Sequence, residues 1–172
     1  MTHSASLVTI KAASPHLRFS AAHFICFDDG SCETLHGHDY RVVVELTGRP
    51  SQAGLLFDFL HLERIVRDIL LPLDHRVLIP CDTSKIHVSE QDGEVRLASA
   101  GKRWCLPRED CCLLPVPNTT AENLVAYLGE AVRSALQEAP EFPTTAVNRL
   151  RVELFESDAF SAVWEGYFHE AI

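Results

Sequence analysis

The chain switches between two spacings of apolar and polar residues, and each switch marks an element. Residues 5–12, Ala-Ser-Leu-Val-Thr-Ile-Lys-Ala, alternate weakly and predict a strand start. Residues 17–24, Leu-Arg-Phe-Ser-Ala-Ala-His-Phe, predict a second strand. Phe19, Ala21 and His23 fall on one face of it, because strand side chains alternate. The cleanest strand covers residues 38–47. Tyr40, Val42, Val44 and Leu46 share one face, while Arg41 and Glu45 take the other. Asp28-Asp29-Gly30-Ser31 reads as a loop, and Gly48-Arg49-Pro50-Ser51 ends the third strand.

Helical spacing begins after Asp58, whose carboxylate suits an N-cap. Phe59, Leu62, Val66, Ile69 and Leu70 recur at that spacing, and Pro72 closes the run. A second helix starts at Thr119 or Thr120. Thr119 with Glu122 forms a capping-box pattern, and Thr120 is the alternative cap. Leu124, Leu128, Val132 and Ala135 form its apolar stripe, with Pro140 just beyond. Between the helices, residues 79–117 read as an irregular polar stretch. Asp92-Gly93 marks a short hairpin within it. Two strands close the chain. Leu150, Val152 and Leu154 alternate in one, and residues 160–168 form the other. This order predicts the α+β class, an antiparallel sheet with two helices on one face.

At 172 residues the chain is expected to form one domain with its own core. Twenty-four acidic residues against fifteen basic ones give a formal charge of −9. That balance argues against a general nucleic-acid binder but leaves room for a small anionic substrate in a local pocket. No apolar run reaches the roughly 18–20 residues of a membrane span. Met1-Thr2-His3-Ser4 does not open like an export signal, so a cytoplasmic location is expected. The cysteines at 26, 32, 81, 105, 111 and 112 are then expected as reduced thiols. No Cys-x-x-Cys pair is present for a zinc knuckle, and Cys111-Cys112 reads as part of a loop or buried strand.

Histidines carry the strongest chemical signal. In Leu35-His36-Gly37-His38, His36 and His38 point to the same side of a strand. His23 on a neighbouring strand would supply a third imidazole. Three neutral nitrogens with an open fourth position are the donor set of a catalytic zinc; the alternative is a pair of exposed histidines at a strand start. Cys32 lies four residues before His36. It reads as a base or nucleophile, a structural ligand, or an inert thiol. Glu33 reads as a base or a loop charge. Asp74-His75, after the first helix, has the composition of a carboxylate-oriented imidazole or of an ordinary surface pair. Glu156, at the end of an apolar strand, suits two parallel hydrogen bonds to a guanidine-like edge, as in a pterin, or is a strand-end charge.

Six blocks in order extend this picture: Phe19-Ser20-Ala21-Ala22-His23, Cys32 through Tyr40, Gly54 through Phe59, Leu73-Asp74-His75, Thr119 through Leu124, and Val152 through Ser157. Together they resemble the 6-pyruvoyl-tetrahydropterin synthase and 6-carboxy-tetrahydropterin synthase superfamily. The resemblance implies a tunnelling fold: one domain over 1–172, with a four-stranded antiparallel sheet and two helices. It also implies homo-oligomers, a trimer or dimer of trimers closed into a barrel, with active sites between subunits. It implies zinc on His23, His36 and His38, Cys32 as general base or acid, and Asp74 with His75 as a second proton-transfer pair. Glu156 would anchor the pterin, helped by Thr119 and Thr120. The 80–117 stretch is longer than the family's usual link and is expected to be an insertion.

The branch follows from the spacing before His36. A Cys four residues before it resembles the queuosine-pathway enzymes, and a Glu three residues before it resembles a folate-linked branch. This chain has both, Cys32 and Glu33. The expected activity is that of a zinc-dependent 6-carboxy-5,6,7,8-tetrahydropterin synthase acting on 7,8-dihydroneopterin triphosphate, in queuosine and 7-deazapurine biosynthesis. The alternatives are a 6-pyruvoyl-tetrahydropterin synthase or a folate-type enzyme giving 6-hydroxymethyl-7,8-dihydropterin, then a non-catalytic zinc or pterin binder. A generic zinc hydrolase would leave Cys32 and Glu156 without a role. The expected partner is a small pterin, with neither nucleic acid nor membrane.

Overall fold

A computed structural model describes residues 6–99 and 101–169. The first four residues, read above for an export signal, lie outside that range, as does the first residue of the 5–12 strand. Among the described residues there are two α-helices, α1 (Phe59–Leu70) and α2 (Ala121–Glu138). Neither is long and apolar enough to cross a membrane.

The long strand organises the sheet. It is β3 (His36–Gly48), and it follows β1 (Val8–Ala12) and β2 (Arg18–His23). β2 pairs antiparallel with the first half of β3 and β1 with the second half. On the other side β3 pairs with β9 (Val147–Phe155), which pairs with β10 (Ser161–Tyr167). The burial of Tyr40, Val42, Val44 and Leu46 follows the expected alternation.

The expected four-stranded antiparallel sheet is only part of what forms. Among the described residues the sheet has seven strands and is mixed. β4 (Arg76–Pro80) runs parallel to β2, and β8 (Cys111–Leu114) runs parallel to β4. Both added strands are short apolar runs. Strands buried on both faces lose the alternation that makes a strand legible in sequence. The sheet of one chain is open, with β10 and β8 at its edges, and does not close a barrel by itself.

The 79–117 stretch is not irregular. It supplies the end of β4, then a three-stranded antiparallel sheet of β5 (His87–Gln91), β6 (Glu94–Ser99) and β7 (Lys102–Pro107), and then β8. The Asp92-Gly93 hairpin forms as expected. Both residues take positive φ, 53° and 79°, as a tight two-residue turn requires.

α1 is capped by Asp58, whose Oδ1 accepts the His61 N–H at 2.8 Å. It buries Leu62, Ile65, Val66 and Leu70, while Phe59, assigned to the stripe from spacing, faces out. Thr120, not Thr119, caps α2, accepting from the Asn123 N–H. Both helices bury their stripes in one core with β1, β2, β3 and β9. A second cluster joins Phe24, Cys26, Ile79, Ile86, Val95 and Leu97 and so ties the small sheet to the end of β2. Within it the Phe24 and Trp104 rings stack at 4.6 Å.

The reduced-thiol reading fails for one pair. Cys26 and Cys32 form a disulfide, while Cys81, Cys105, Cys111 and Cys112 are free. Location by itself is a weak guide to thiol state when two cysteines sit opposite each other across a β-bridge, as these do.

Candidate active site

Strand register builds the histidine cluster. His23 pairs directly with His36, and Ala21 with His38. Directly opposed residues of an antiparallel pair point to the same face, and so do residues two apart on one strand. Three imidazoles therefore converge, each offering a ligand atom within 4.8 Å of the others. Their ring centroids stand 4.7–5.2 Å apart.

Backbone carbonyls set two of the rings. His23 Nδ1 lies 2.8 Å from the Thr119 carbonyl, and His36 Nδ1 lies 2.8 Å from the Thr34 carbonyl. A ring that donates through Nδ1 presents an unprotonated Nε2 lone pair. His23 is fully buried, and its Nε2 has no hydrogen-bond partner among the described residues. A buried orphan nitrogen aimed at two more imidazoles fits a metal ion. Burial lowers the His23 pKa, its largest influence, and so keeps the ring neutral and ligand-ready.

Glu156 faces the same centre. Its Oε1 lies 3.6 Å from His23 Nε2 and 3.8 Å from His38 Nε2. It also lines two cavities. One, of about 310 Å³, includes Arg18, Asp39 and Tyr40; the other, of about 550 Å³, includes Asn118, Thr120 and Glu122. Tyr40, placed by the sequence on the apolar face of its strand and at the end of the Cys32–Tyr40 block, is buried beneath this group with its hydroxyl unpartnered among the described residues. Burial, and then the Glu156 charge, push its ionisation upward.

Asp74 and His75 do meet. His75 Nδ1 is 3.0 Å from Asp74 Oδ2. Asp74 Oδ1 accepts the Ser20 N–H at 2.8 Å, and that bond, with His75 adding to it, holds its carboxyl below the usual carboxylate range. His75 adopts φ 57°, a left-handed conformation uncommon away from glycine, and its N–H donates to the Ser20 carbonyl at 2.7 Å. The ring is exposed and shares a cavity of about 510 Å³ with His38, Asp39 and Arg76.

Thr119 is buried. Its hydroxyl donates to the Phe24 carbonyl at 2.8 Å, and its own carbonyl meets His23. Thr120 lies on the cavity wall beside Glu156 while capping α2.

The turn before His36 is held from the small sheet. Lys102 Nζ donates to the carbonyls of Cys32 and Glu33 at 2.7 and 2.9 Å. Ser99 Oγ lies 3.2 Å from Cys32 Sγ and 3.5 Å from Cys26 Sγ. Glu33 Oε2 is buried without a hydrogen-bond partner among the described residues. Neither Ser99 nor Lys102 carries a local motif, and only the strand geometry brings them here.

An α+β tunnelling-type fold with a histidine cluster able to hold a metal ion defines the class of protein. The sequence pattern of the family described as 6-pyruvoyl tetrahydropterin synthase matches residues 13–166, and the chain belongs to that family. It is a pterin-modifying enzyme of lyase type. A Methanocaldococcus jannaschii protein to which 6-carboxy-5,6,7,8-tetrahydropterin synthase activity is ascribed is 31% identical over 152 residues, 88% of this chain and 91% of that one. A Pyrococcus abyssi protein with the same ascribed activity is 33% identical over 139 residues, 80% and 79% of the two chains. The crystal structure of Plasmodium vivax 6-pyruvoyl tetrahydropterin synthase superposes with a TM-score of 0.88 at 27% identity, covering 94% of this chain and 99% of that one. A variant of the same enzyme, with alanine replacing a glutamate described as a catalytic residue, superposes equally well at 26% identity.

Proposed function

We propose that the chain cleaves the side chain of 7,8-dihydroneopterin triphosphate to give 6-hydroxymethyl-7,8-dihydropterin, with Glu33 as the base. One observation carries this reading: Cys32 is bonded to Cys26, while the adjacent Glu33 has a buried carboxylate oxygen with no partner among the described residues. A buried, unpartnered carboxylate oxygen is costly unless something is to be bound or deprotonated there. The catalytic glutamate described for the P. vivax enzyme supports the same choice.

The chemistry is an aldol cleavage. Glu33 takes the proton from the hydroxyl on the second side-chain carbon. That oxygen becomes a carbonyl, the bond between the first and second carbons breaks, and its electron pair passes into the ring imine. The first carbon then takes up a proton, and the two-carbon aldehyde leaves with the triphosphate. His75, oriented by Asp74 and exposed to its cavity, is the proton-carrying group we assign to that return step.

His23, His36 and His38 would hold a divalent metal ion, zinc by the family resemblance, and its chemistry when bound is to polarise the side-chain hydroxyls. Glu156 would grip the pterin's guanidine-like edge through paired hydrogen bonds, with Thr120 on the same wall. Thr119 acts through its carbonyl on His23. We assign a homo-oligomer as the working form. The open sheet and exposed Phe160, Val163 and Tyr167 around edge strand β10 support joining to further copies.

A second reading has its own support. The activity ascribed to the archaeal relatives, and Cys32 four residues before His36, favour 6-carboxy-tetrahydropterin synthesis. Product analysis by liquid chromatography and mass spectrometry, with zinc-loaded protein under non-reducing conditions, separates the two. The first reading expects 6-hydroxymethyl-7,8-dihydropterin. Mainly 6-carboxy-tetrahydropterin and acetaldehyde would replace it with the second.

A further inference from the structure

Two candidate bases stand side by side in this chain, and one of them is bonded to Cys26, which lines the same cavity as Glu156. Cys26 and Cys32 oppose each other across an antiparallel bridge, their Cα atoms 4.2 Å apart. The turn between them is closed by backbone bonds from Phe27 N–H to the Ser31 carbonyl at 2.8 Å and from Gly30 N–H to the Phe27 carbonyl at 3.2 Å. Asp29 reinforces the turn by accepting from the Ser31 N–H and hydroxyl. Gly30 takes φ 83°, which this turn requires.

The loop is also held by contacts other than the sulfur–sulfur bond. Lys102 clamps the carbonyls of Cys32 and Glu33, and the Glu33 N–H donates to the Ile25 carbonyl at 2.8 Å. The Asn118 side chain holds the Cys26 backbone through both its N–H and its carbonyl. These contacts act on backbone atoms and involve neither sulfur. Cys26 is buried and Cys32 half-buried, so Cys32 is the residue of the pair that a thiol reagent meets first.

We propose that Cys26 is a specificity-determining residue. Joined to Cys32, it withdraws that thiol and leaves the Glu33 carboxylate as the base, so the chain makes the 6-hydroxymethyl product. Released from it, Cys32 becomes available as a second base and the 6-carboxy product appears. The proposal rests on the reading above of Glu33 and Cys32 as alternative bases. The redox step is thiol–disulfide exchange. Cys26 and Cys32 together give up two protons and two electrons, their sulfur–sulfur bond forms, and a low-molecular-weight disulfide is reduced to two thiols.

The test holds the full zinc-loaded chain in a graded series of reduced and oxidised glutathione. At each ratio, alkylation followed by peptide mass analysis reads the state of residues 26 and 32, and chromatography reads both products from 7,8-dihydroneopterin triphosphate. Reduction is expected to raise the ratio of 6-carboxy to 6-hydroxymethyl product by about ten-fold or more. Cys26→Ser is expected to give the reduced-type ratio at every glutathione ratio. Cys26→Ala serves the same purpose if the serine is not tolerated at this buried position. The proposal is overturned if residues 26 and 32 never join under oxidising conditions, or if they join and the product ratio stays the same. Turnover to neither product in both states would instead overturn the base assignment itself, and the specificity claim with it.

Discussion

The carbonyl of Thr119 meets Nδ1 of His23 at 2.8 Å, across 96 residues of sequence. The start of α2 thereby sets the ring of a histidine on β2, and the Thr119 hydroxyl fixes that carbonyl by donating to Phe24 in the same buried pocket. Thr119→Val removes a buried donor and leaves the Phe24 carbonyl without it. The expected cost is about 1–3 kcal/mol of stability. Zinc affinity is expected to fall by about ten-fold as the His23 ring loses its support. Urea unfolding and zinc titration against a competing chelator measure both. Thr119→Ser, which keeps the hydroxyl, is expected to restore most of the loss.

Acid should loosen the same centre. Burial lowers the His23 pKa below 6.5, so the folded chain binds fewer protons there than the unfolded chain does. The stabilisation from a neutral His23 is complete above about pH 6.5 and is lost as pH falls through the folded value. The metal-free wild type should therefore lose melting temperature between pH 7.5 and 5 more steeply than His23→Gln. Equal slopes for the two chains would contradict the assignment.

Glu156→Gln keeps the shape and removes the charge. Affinity for an unreactive pterin is expected to fall by about 10- to 100-fold, the loss of a charge-assisted pair of hydrogen bonds. Zinc content is expected to stay complete, because the three imidazoles are intact. Fluorescence titration with the pterin and elemental analysis read the two properties separately. Unchanged pterin affinity would remove Glu156 from the anchoring role.

Gly129 on α2 lies against Trp164 of β10. A β-carbon there would fall 2.3 Å from ring carbons of the indole. Gly129→Ala should overpack this contact by about 1–3 kcal/mol. The better helix preference of alanine returns about 1 kcal/mol of that. A net loss in urea unfolding, with a change in tryptophan emission, is expected.

Much of the metal centre was legible in the sequence because period-two geometry and strand pairing suffice to place His23, His36 and His38 together. Asp74 and His75 were legible as a composition but not as a contact, which depends on the left-handed backbone of His75. Thr119 was legible as a helix-start residue. Its contact with His23 runs through a backbone carbonyl, which no side-chain pattern announces. β4 and β8 were hidden because strands covered on both faces do not alternate. The Cys26–Cys32 bond was hidden because it depends on the register of a two-residue bridge, while the general expectation for cytoplasmic thiols pointed the other way.

The central claim is that Glu33, not Cys32, is the base in the disulfide-bonded chain. The most direct measurement compares Glu33→Gln with Cys32→Ala on 7,8-dihydroneopterin triphosphate, under non-reducing conditions and at matched zinc content. Glu33→Gln is expected to lower formation of 6-hydroxymethyl-7,8-dihydropterin by about 10²- to 10⁴-fold, the usual worth of a positioned base, while Cys32→Ala keeps it within a few fold. Full activity in Glu33→Gln together with loss of activity in Cys32→Ala would contradict the account.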